Sequence, residues 1–334
     1  MRSVRLALLA ACAGTAAAMQ IAITGTNSGI GRSAARILVA QGHTVYHACR
    51  NEERAREAAE AAGGGMPMVC DLADLAGVRA FAAALSERAP ELDVLCLNAG
   101  VSPSRKAEAA VRTKDGFEET VGVNHLGHFC LANLMEPTLA SRRGRLVITA
   151  SGVHDPNSPG GTVQGDPATG ATLGDLSGLG AVAGGPPMAN GAKDFNGAKA
   201  YHDSKLCNVL FSREASRRWG SIGVRAFNPG LITDTGLFRS AREDNFIGTA
   251  IFSFVANNVA GISVPVEVGG ERLAYVATAS DDEIPSGSYL SAPSPRSKAA
   301  TKADGFADAK VSVEARDEGV AERLWEKSAA AVGL

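Results

Sequence analysis

The sequence predicts an α/β protein built on one doubly wound parallel sheet with helices on both faces. Three observations carry that prediction. Short apolar runs alternate with helical patterns, a glycine-rich turn joins the first run to the first helix, and chemistry-bearing residues recur where the runs end. Alternating strand and helix implies a parallel sheet covered on both sides. On such a sheet, ligands bind beyond the carboxyl ends of the strands.

The elements follow in order. Met19–Thr24 reads as a buried strand and Ser33–Val39 as the amphipathic helix after it. Apolar runs at Thr44–Ala48, Met66–Cys70, Leu92–Leu97, Leu146–Ala150 and Val224–Phe227 read as the further strands. Helical patterns at Glu52–Ala62, Leu75–Arg88, Phe117–Leu139 and Ala200–Trp219 separate them. Gly152–Gly197 breaks the regularity. It is rich in Gly, Pro, Asn and Asp, and a loop that long inside a compact domain is a functional lid or a disordered insertion. No linker divides the chain, so residues 19–334 are read as a single unit with 152–197 as its insert.

With 45% hydrophobic and 20% charged residues, the chain is of the soluble globular class. A net charge of −2 and only 5% aromatics argue against a nucleic-acid surface. The six cysteines form no C-x-x-C pair, which disfavours a zinc or disulfide framework. Arg2 and Arg5, the apolar run Leu6–Ala13 and the small residues Ala16–Ala18 have the layout of a cleavable signal peptide. The alternative is that Met19, which opens the first strand, is the true start, in which case the protein is expected in the cytoplasm.

The turn after the first strand is Gly25-Thr26-Asn27-Ser28-Gly29-Ile30-Gly31. Its Gly-x-x-x-Gly-x-Gly spacing is one residue longer than the common dinucleotide turn. Glycines leave room for a pyrophosphate, which the N–H groups at the helix start then bind. Strand, turn and helix in this order make the unit Rossmann-type. At the end of the second strand stands Arg50, where an NAD-preferring site would hold an acid. A guanidinium suits a 2′-phosphate, so the cofactor implied is NADPH, although Arg50 also fits a solvated strand end. Asp71 and Leu72 follow the third strand. Asp71 suits the adenine amino group or an N-cap for the next helix. Asn98, Ala99 and Gly100 close the fourth strand, where small residues admit the cofactor.

Tyr201 and Lys205 stand four apart and share a helix face. An ammonium nearby favours the phenolate and makes a phenol a better proton carrier. Ser151 ends the fifth strand, in place to hold a substrate oxygen. Asn124 lies in the helix after Asn98, where a buried amide needs partners, a relay water among them.

On these motifs the chain resembles a short-chain dehydrogenase/reductase over nearly all of residues 19–334. Within that superfamily it is most similar to the light-dependent protochlorophyllide oxidoreductases. The runs Leu173–Leu179, Asp194–Tyr201, Asp203–Asn208, Asp115–Glu118, Asn124–Phe129 and Thr235–Arg239 carry the similarity, with the tail around Leu324–Glu326 and Val332–Leu334. The resemblance implies NADPH as cofactor and Asn124, Ser151, Tyr201 and Lys205 as catalytic residues. It also implies that Tyr201 and Lys205, with Pro229 and Gly230 after the sixth strand, contact the cofactor. The reaction implied is light-triggered hydride transfer to a tetrapyrrole double bond with Tyr201 as proton donor, in a plastid. Three positions depart from the family: Asn228 and Leu231 stand where it has Tyr and Cys around Pro-Gly, and Ser102 where it tends to have Tyr. These departures keep a second reading alive, a dark reductase or dehydrogenase for a lipophilic carbonyl or alcohol. A third, a pigment carrier without turnover, is opposed by the intact Tyr201, Lys205, Asn124 and Ser151. The partner is a small molecule in the first two readings; peripheral membrane association and a homo-oligomer stay open.

Overall fold

The computed structural model describes residues 17–104, 107–232 and 263–334. The leader-like residues 1–16 and the run Thr235–Arg239 lie outside them. Eight strands form one sheet: β1 Gln20–Thr24, β2 Thr44–Cys49, β3 Met66–Val69, β4 Val94–Leu97, β5 Arg145–Thr149, β6 Gly223–Phe227, β7 Tyr289–Ser291 and β8 Ala307–Asp308. Their order is β3-β2-β1-β4-β5-β6-β7-β8, parallel throughout except for the antiparallel β7–β8 pair at one edge. The fold is therefore the predicted doubly wound α/β sheet, extended by two strands too short to betray themselves as apolar runs.

Side-chain alternation divides the core between the two faces. Ala22, Leu95, Leu97, Leu146 and Ile148 point to one face. There they meet α3 (Leu75–Arg88), α4 (His128–Arg142), α5 (Gly197–Arg218) and α7 (Glu318–Val332). Ile21, Ile23, Val94, Cys96 and Val147 point to the other, against α1 (Gly29–Ala40) and α6 (Val266–Thr278). A further helix, α2 (Glu52–Ala62), packs beside β2 and β3. The five described cysteines are free and buried, as small core residues.

Several boundaries differ from those predicted. α1 begins at Gly29, inside the glycine turn, and α5 begins at Gly197 because the Asn196 side chain caps it by accepting from Lys199 N–H. The helix predicted over Phe117–Leu139 starts at Glu119, since the Glu118 carboxylate accepts from the N–H groups of Thr120 and Val121. It then passes through a π segment, Gly122–Gly127, before α4. Asp71 does not cap α3. That position belongs to Asp74, which accepts from Ala76 and Gly77 N–H, while Asp71 closes a turn by accepting from Ala73 N–H.

Candidate functional site

The glycine turn is as tight as its spacing suggests. Gly25 and Gly29 have φ of 76° and 56°, the left-handed region. A Cβ at Gly25 would lie 3.0 Å from the Ala99 Cα, and one at Gly31 would strike the Gly25 carbonyl and the Asn98 amide. The end of β4 thus presses against the turn from below, and backbone closes a cradle that any side chain would fill.

One hydroxyl holds this junction. Thr24 Oγ accepts from Asn98 N–H (2.9 Å) and Ala99 N–H (3.0 Å) and lies 2.9 Å from His128 Nε2. His128 Nδ1 faces the Asn124 carbonyl oxygen at 3.2 Å, which only accepts, so Nδ1 carries the proton and Nε2 accepts from Thr24. Burial, helped by the Lys205 charge, lowers the His128 pKa to about 4 and keeps the ring neutral. His128 thereby ties the π segment to the cofactor turn. Neither His128 nor Thr24 was singled out in the sequence, because the contact spans 104 positions and leaves no local signal.

On the far side of β4 the reactive side chains gather. Lys205 Nζ lies 5.6 Å from the centroid of the Tyr201 ring and donates to the Thr149 carbonyl at 3.3 Å, which Asn208 also reaches at 3.2 Å. Asn124 accepts from Val101 N–H (2.8 Å) and donates to the Val101 carbonyl (2.9 Å) and to Ser204 Oγ (3.0 Å). Ser204 in turn donates to the Tyr201 carbonyl at 2.7 Å. The Asn124 amide therefore takes its partners from protein, binding the chain after β4 to the Tyr201 helix. A Cβ at Gly100 would sit 3.3 Å from Asn124 Oδ1 and 3.8 Å from Lys205 Nζ, so glycine keeps this floor open.

Burial sets the protonation of the pair. It lowers the Lys205 pKa to about 8 and pushes the Tyr201 phenol above its ordinary range. The spacing of the two residues predicts an ammonium that favours the phenolate, but burial alone sets the direction here and the resting tyrosine is a neutral phenol.

The other predicted residues are more dispersed. Ser151 caps the 3-10 turn Gly152–His154, its Oγ accepting from Val153 N–H at 3.5 Å. Arg50 is exposed, at the end of β2. Pro229 and Gly230 follow β6, and Gly230 has φ 90°. Asn228 braces that turn, accepting from Gly230 N–H at 3.1 Å and donating to Ser291 Oγ at 3.2 Å. Leu231 is half-buried beside it.

The 152–197 segment has little regular structure yet is packed. Leu173, Leu176, Leu179 and Met188 are buried in it. Lys199 and Asp203, both on α5, hold it from below. Lys199 Nζ donates to the Thr172 carbonyl at 2.7 Å, and Asp203 accepts from Thr172 N–H at 3.0 Å. Arg112 donates to the carbonyls of Ala181 and Gly185. A disordered insertion would not bury leucines, so that alternative does not describe this segment.

The model of the short chain dehydrogenase family matches residues 19–163. Over 326 residues the chain is 36% identical to the chloroplastic protochlorophyllide reductase of Chlamydomonas reinhardtii, across 93% of this chain and 77% of that protein. The chain belongs to the short-chain dehydrogenase/reductase family. Protochlorophyllide reductase A of Triticum aestivum is 37% identical over 94% of this chain and 80% of its own length. Retinol dehydrogenase 14 of Mus musculus is 32% identical over 94% and 86%. Among solved structures, an uncharacterized protein from Mycobacterium paratuberculosis matches with a TM-score of 0.65 and 26% identity, over 94% of this chain and 93% of that one. As a short-chain dehydrogenase/reductase close to the protochlorophyllide reductases, the protein is an oxidoreductase that takes a nicotinamide cofactor and a small-molecule substrate.

Proposed function

We propose that the protein is an NADPH-dependent reductase of the protochlorophyllide type, acting on a double bond of a tetrapyrrole. The observation that carries this reading is the likeness to protochlorophyllide reductases, which runs over 93% of the chain and so takes in the 152–197 segment. The cradle of Gly25, Gly29 and Gly31, with Asn27, Ser28 and Ile30 at the helix start, would receive the pyrophosphate. Asn98, Ala99 and Gly100 would line its path, and Asp71 and Leu72 the adenine side. Arg50 would take the 2′-phosphate and so select NADPH over NADH. Pro229 and Gly230 would bound the nicotinamide end.

The chemistry NADPH would supply when bound in this cradle is a hydride for one carbon of the double bond. Tyr201 gives its hydroxyl proton to the other carbon, for which a neutral phenol is the required form. Lys205, fixed on the Thr149 carbonyl, would stabilise the phenolate left behind and would bond the cofactor ribose. Ser151 holds a polar group of the substrate. Asn124 keeps the Tyr201 helix and the end of β4 in register. The 152–197 segment acts as a lid that excludes water from the reacting atoms. A lipophilic pigment is compatible with peripheral contact with a membrane; among the described residues no helix is long and apolar enough to cross one. The chloroplastic relatives support a plastid location, for which residues 1–18 would serve as leader.

A second reading is favoured by a specific pair of positions. Asn228 and Leu231 flank the Pro229-Gly230 turn without a phenol or a thiol, and likeness to retinol dehydrogenase 14 is as extensive, at somewhat lower identity. This reading makes the protein a dark reductase of lipophilic carbonyls. A flash given to protein, NADPH and protochlorophyllide separates the two: chlorophyllide forms under the first and not under the second.

A further inference from the structure

Arg272 is one of two almost wholly buried arginines, with Arg225, that the mechanism leaves unused. It lies on α6, 1% exposed, and stacks over Phe306 with its guanidinium 5.1 Å from the ring centroid. Among the described residues no carboxylate lies in direct contact with its guanidinium. It donates instead to three backbone carbonyls: Nε to Ala299 at 2.7 Å, Nη1 to Pro229 at 2.8 Å and Nη2 to Ser297 at 2.8 Å. A guanidinium taken out of water with only the more distant charges of Asp304 and Glu271 to balance it is a costly way to fill space that an apolar side chain would fill more favourably. What it supplies is a rigid planar fork that fixes three acceptors at once.

One of those acceptors is the Pro229 carbonyl, at the turn after β6. The strand order sets β2, with Arg50, and β6, with Pro229, on opposite sides of β1. Tyr201 and Lys205 stand on the β5–β6 side, since Lys205 holds the Thr149 carbonyl. The turn at Pro229–Gly230 would therefore bound the reactive end of the dinucleotide. Gly230 is shaped to Arg272, because its φ is 90° and an added Cβ would lie 2.8 Å from Nη1.

The other end of the link runs through α6. A Cβ at Gly270 would strike Ser33 of α1, and one at Gly269 would strike Ile232 and approach Ile30 at 3.0 Å. These glycines let α6 lie directly on the helix whose first turn would carry the pyrophosphate. One rigid helix thus touches the phosphate-binding helix along its side and holds the reactive-end turn through a single guanidinium.

We propose that Arg272 is a positioning residue for the nicotinamide half of the cofactor, setting the Pro229–Gly230 turn against the phosphate-binding helix. The inference rests on the nicotinamide reading above and adds a residue that touches neither cofactor nor substrate. It predicts a split between the two halves of the ligand. Titration calorimetry of the full chain with NADPH, and with 2′,5′-ADP as the adenosine half alone, reads that split. Arg272→Met should weaken NADPH by about tenfold or more, the scale set by hydrogen bonds to a charged group, and leave 2′,5′-ADP within about twofold of wild type. Arg272→Lys, which keeps the charge and loses the fork, should behave like Arg272→Met. Gly230→Ala, pressing on Nη1 from the other side, should show the same split and stands as the independent variant if Arg272→Met does not fold. Equal weakening of both ligands, or NADPH binding unchanged, overturns the proposal. Wild-type protein that binds 2′,5′-ADP and NADPH equally leaves the nicotinamide half without a site and overturns it too. Wild-type protein that binds neither overturns the cofactor reading itself.

Discussion

Removing the Lys199 charge should unfasten the 152–197 segment at a cost the structure sets. Lys199 Nζ lies 2.8 and 2.9 Å from the two Asp203 carboxylate oxygens, with the lysine side chain 9% exposed and the aspartate wholly buried. Lys199→Met leaves the Asp203 carboxylate with Thr172 N–H as its remaining described partner. Breaking one side of a buried pair typically costs about 3–5 kcal/mol, whereas replacing both sides with apolar groups is often nearly neutral. Lys199→Met should therefore lose roughly that much stability at pH 8, and Lys199→Met/Asp203→Leu should regain most of it. The pH dependence has a definite sign. Burial already raises the Asp203 pKa to about 7 beside its lysine, and removing the ammonium raises it further. A folded pKa above the unfolded value of about 3.9 means a penalty that is full above the folded pKa and fades as pH falls. The gap between wild type and Lys199→Met should narrow from pH 8 to pH 5.5. Urea denaturation at the two pH values measures it. A single variant within about 1 kcal/mol of wild type at pH 8, with a double variant no more stable than the single, would refute the reasoning.

Three further outcomes follow from the site. Arg50→Ala should weaken NADPH by about tenfold or more and spare NADH, because only the 2′-phosphate needs the guanidinium; calorimetric titration with both cofactors checks it, and equal loss would make Arg50 structural. Tyr201→Phe should lower turnover by about 10²–10⁴-fold with NADPH binding nearly intact, the range for loss of a general acid, while Lys205→Ala should damage both; a near-normal rate in Tyr201→Phe would remove the tyrosine from the proton path. Leu231→Cys should raise any flash-induced chlorophyllide yield, since a thiol beside the Pro229-Gly230 turn can donate a hydrogen bond and leucine cannot; the absorbance of the two products after one flash reads it, and a robust wild-type yield unaltered by the change would show Leu231 to be neutral.

The parallel sheet was legible because its strands are buried on both faces and so read as unbroken apolar runs. The glycine turn and the Tyr201–Lys205 pair were legible because their chemistry lies within eight consecutive residues or one helical turn. Contacts between distant segments were not. His128 is one histidine among six in the sequence; only the fold brings it to Thr24. Lys199 and Asp203 look like any surface pair four apart, and their burial comes from a segment with no periodicity. Asp71 and Asp74 both precede an apolar helix, and the cap falls to the one whose side chain reaches the first free N–H groups. β7 and β8, with three and two residues, are shorter than any pattern that could announce them. The π segment inserts into a helix whose composition is ordinary, and its Gly127 lies against the Leu72 carbonyl, where a Cβ would come within 2.5 Å.

The central claim is reduction of a tetrapyrrole double bond at Tyr201 with NADPH. The most direct measurement is a single-flash absorbance experiment on the full chain mixed with NADPH and protochlorophyllide, with a dark control and Tyr201→Phe alongside. The account predicts loss of the protochlorophyllide band and gain of a chlorophyllide band after the flash, absent in the dark and absent or much reduced in Tyr201→Phe. No chlorophyllide from wild-type protein that demonstrably binds both NADPH and the pigment would contradict it.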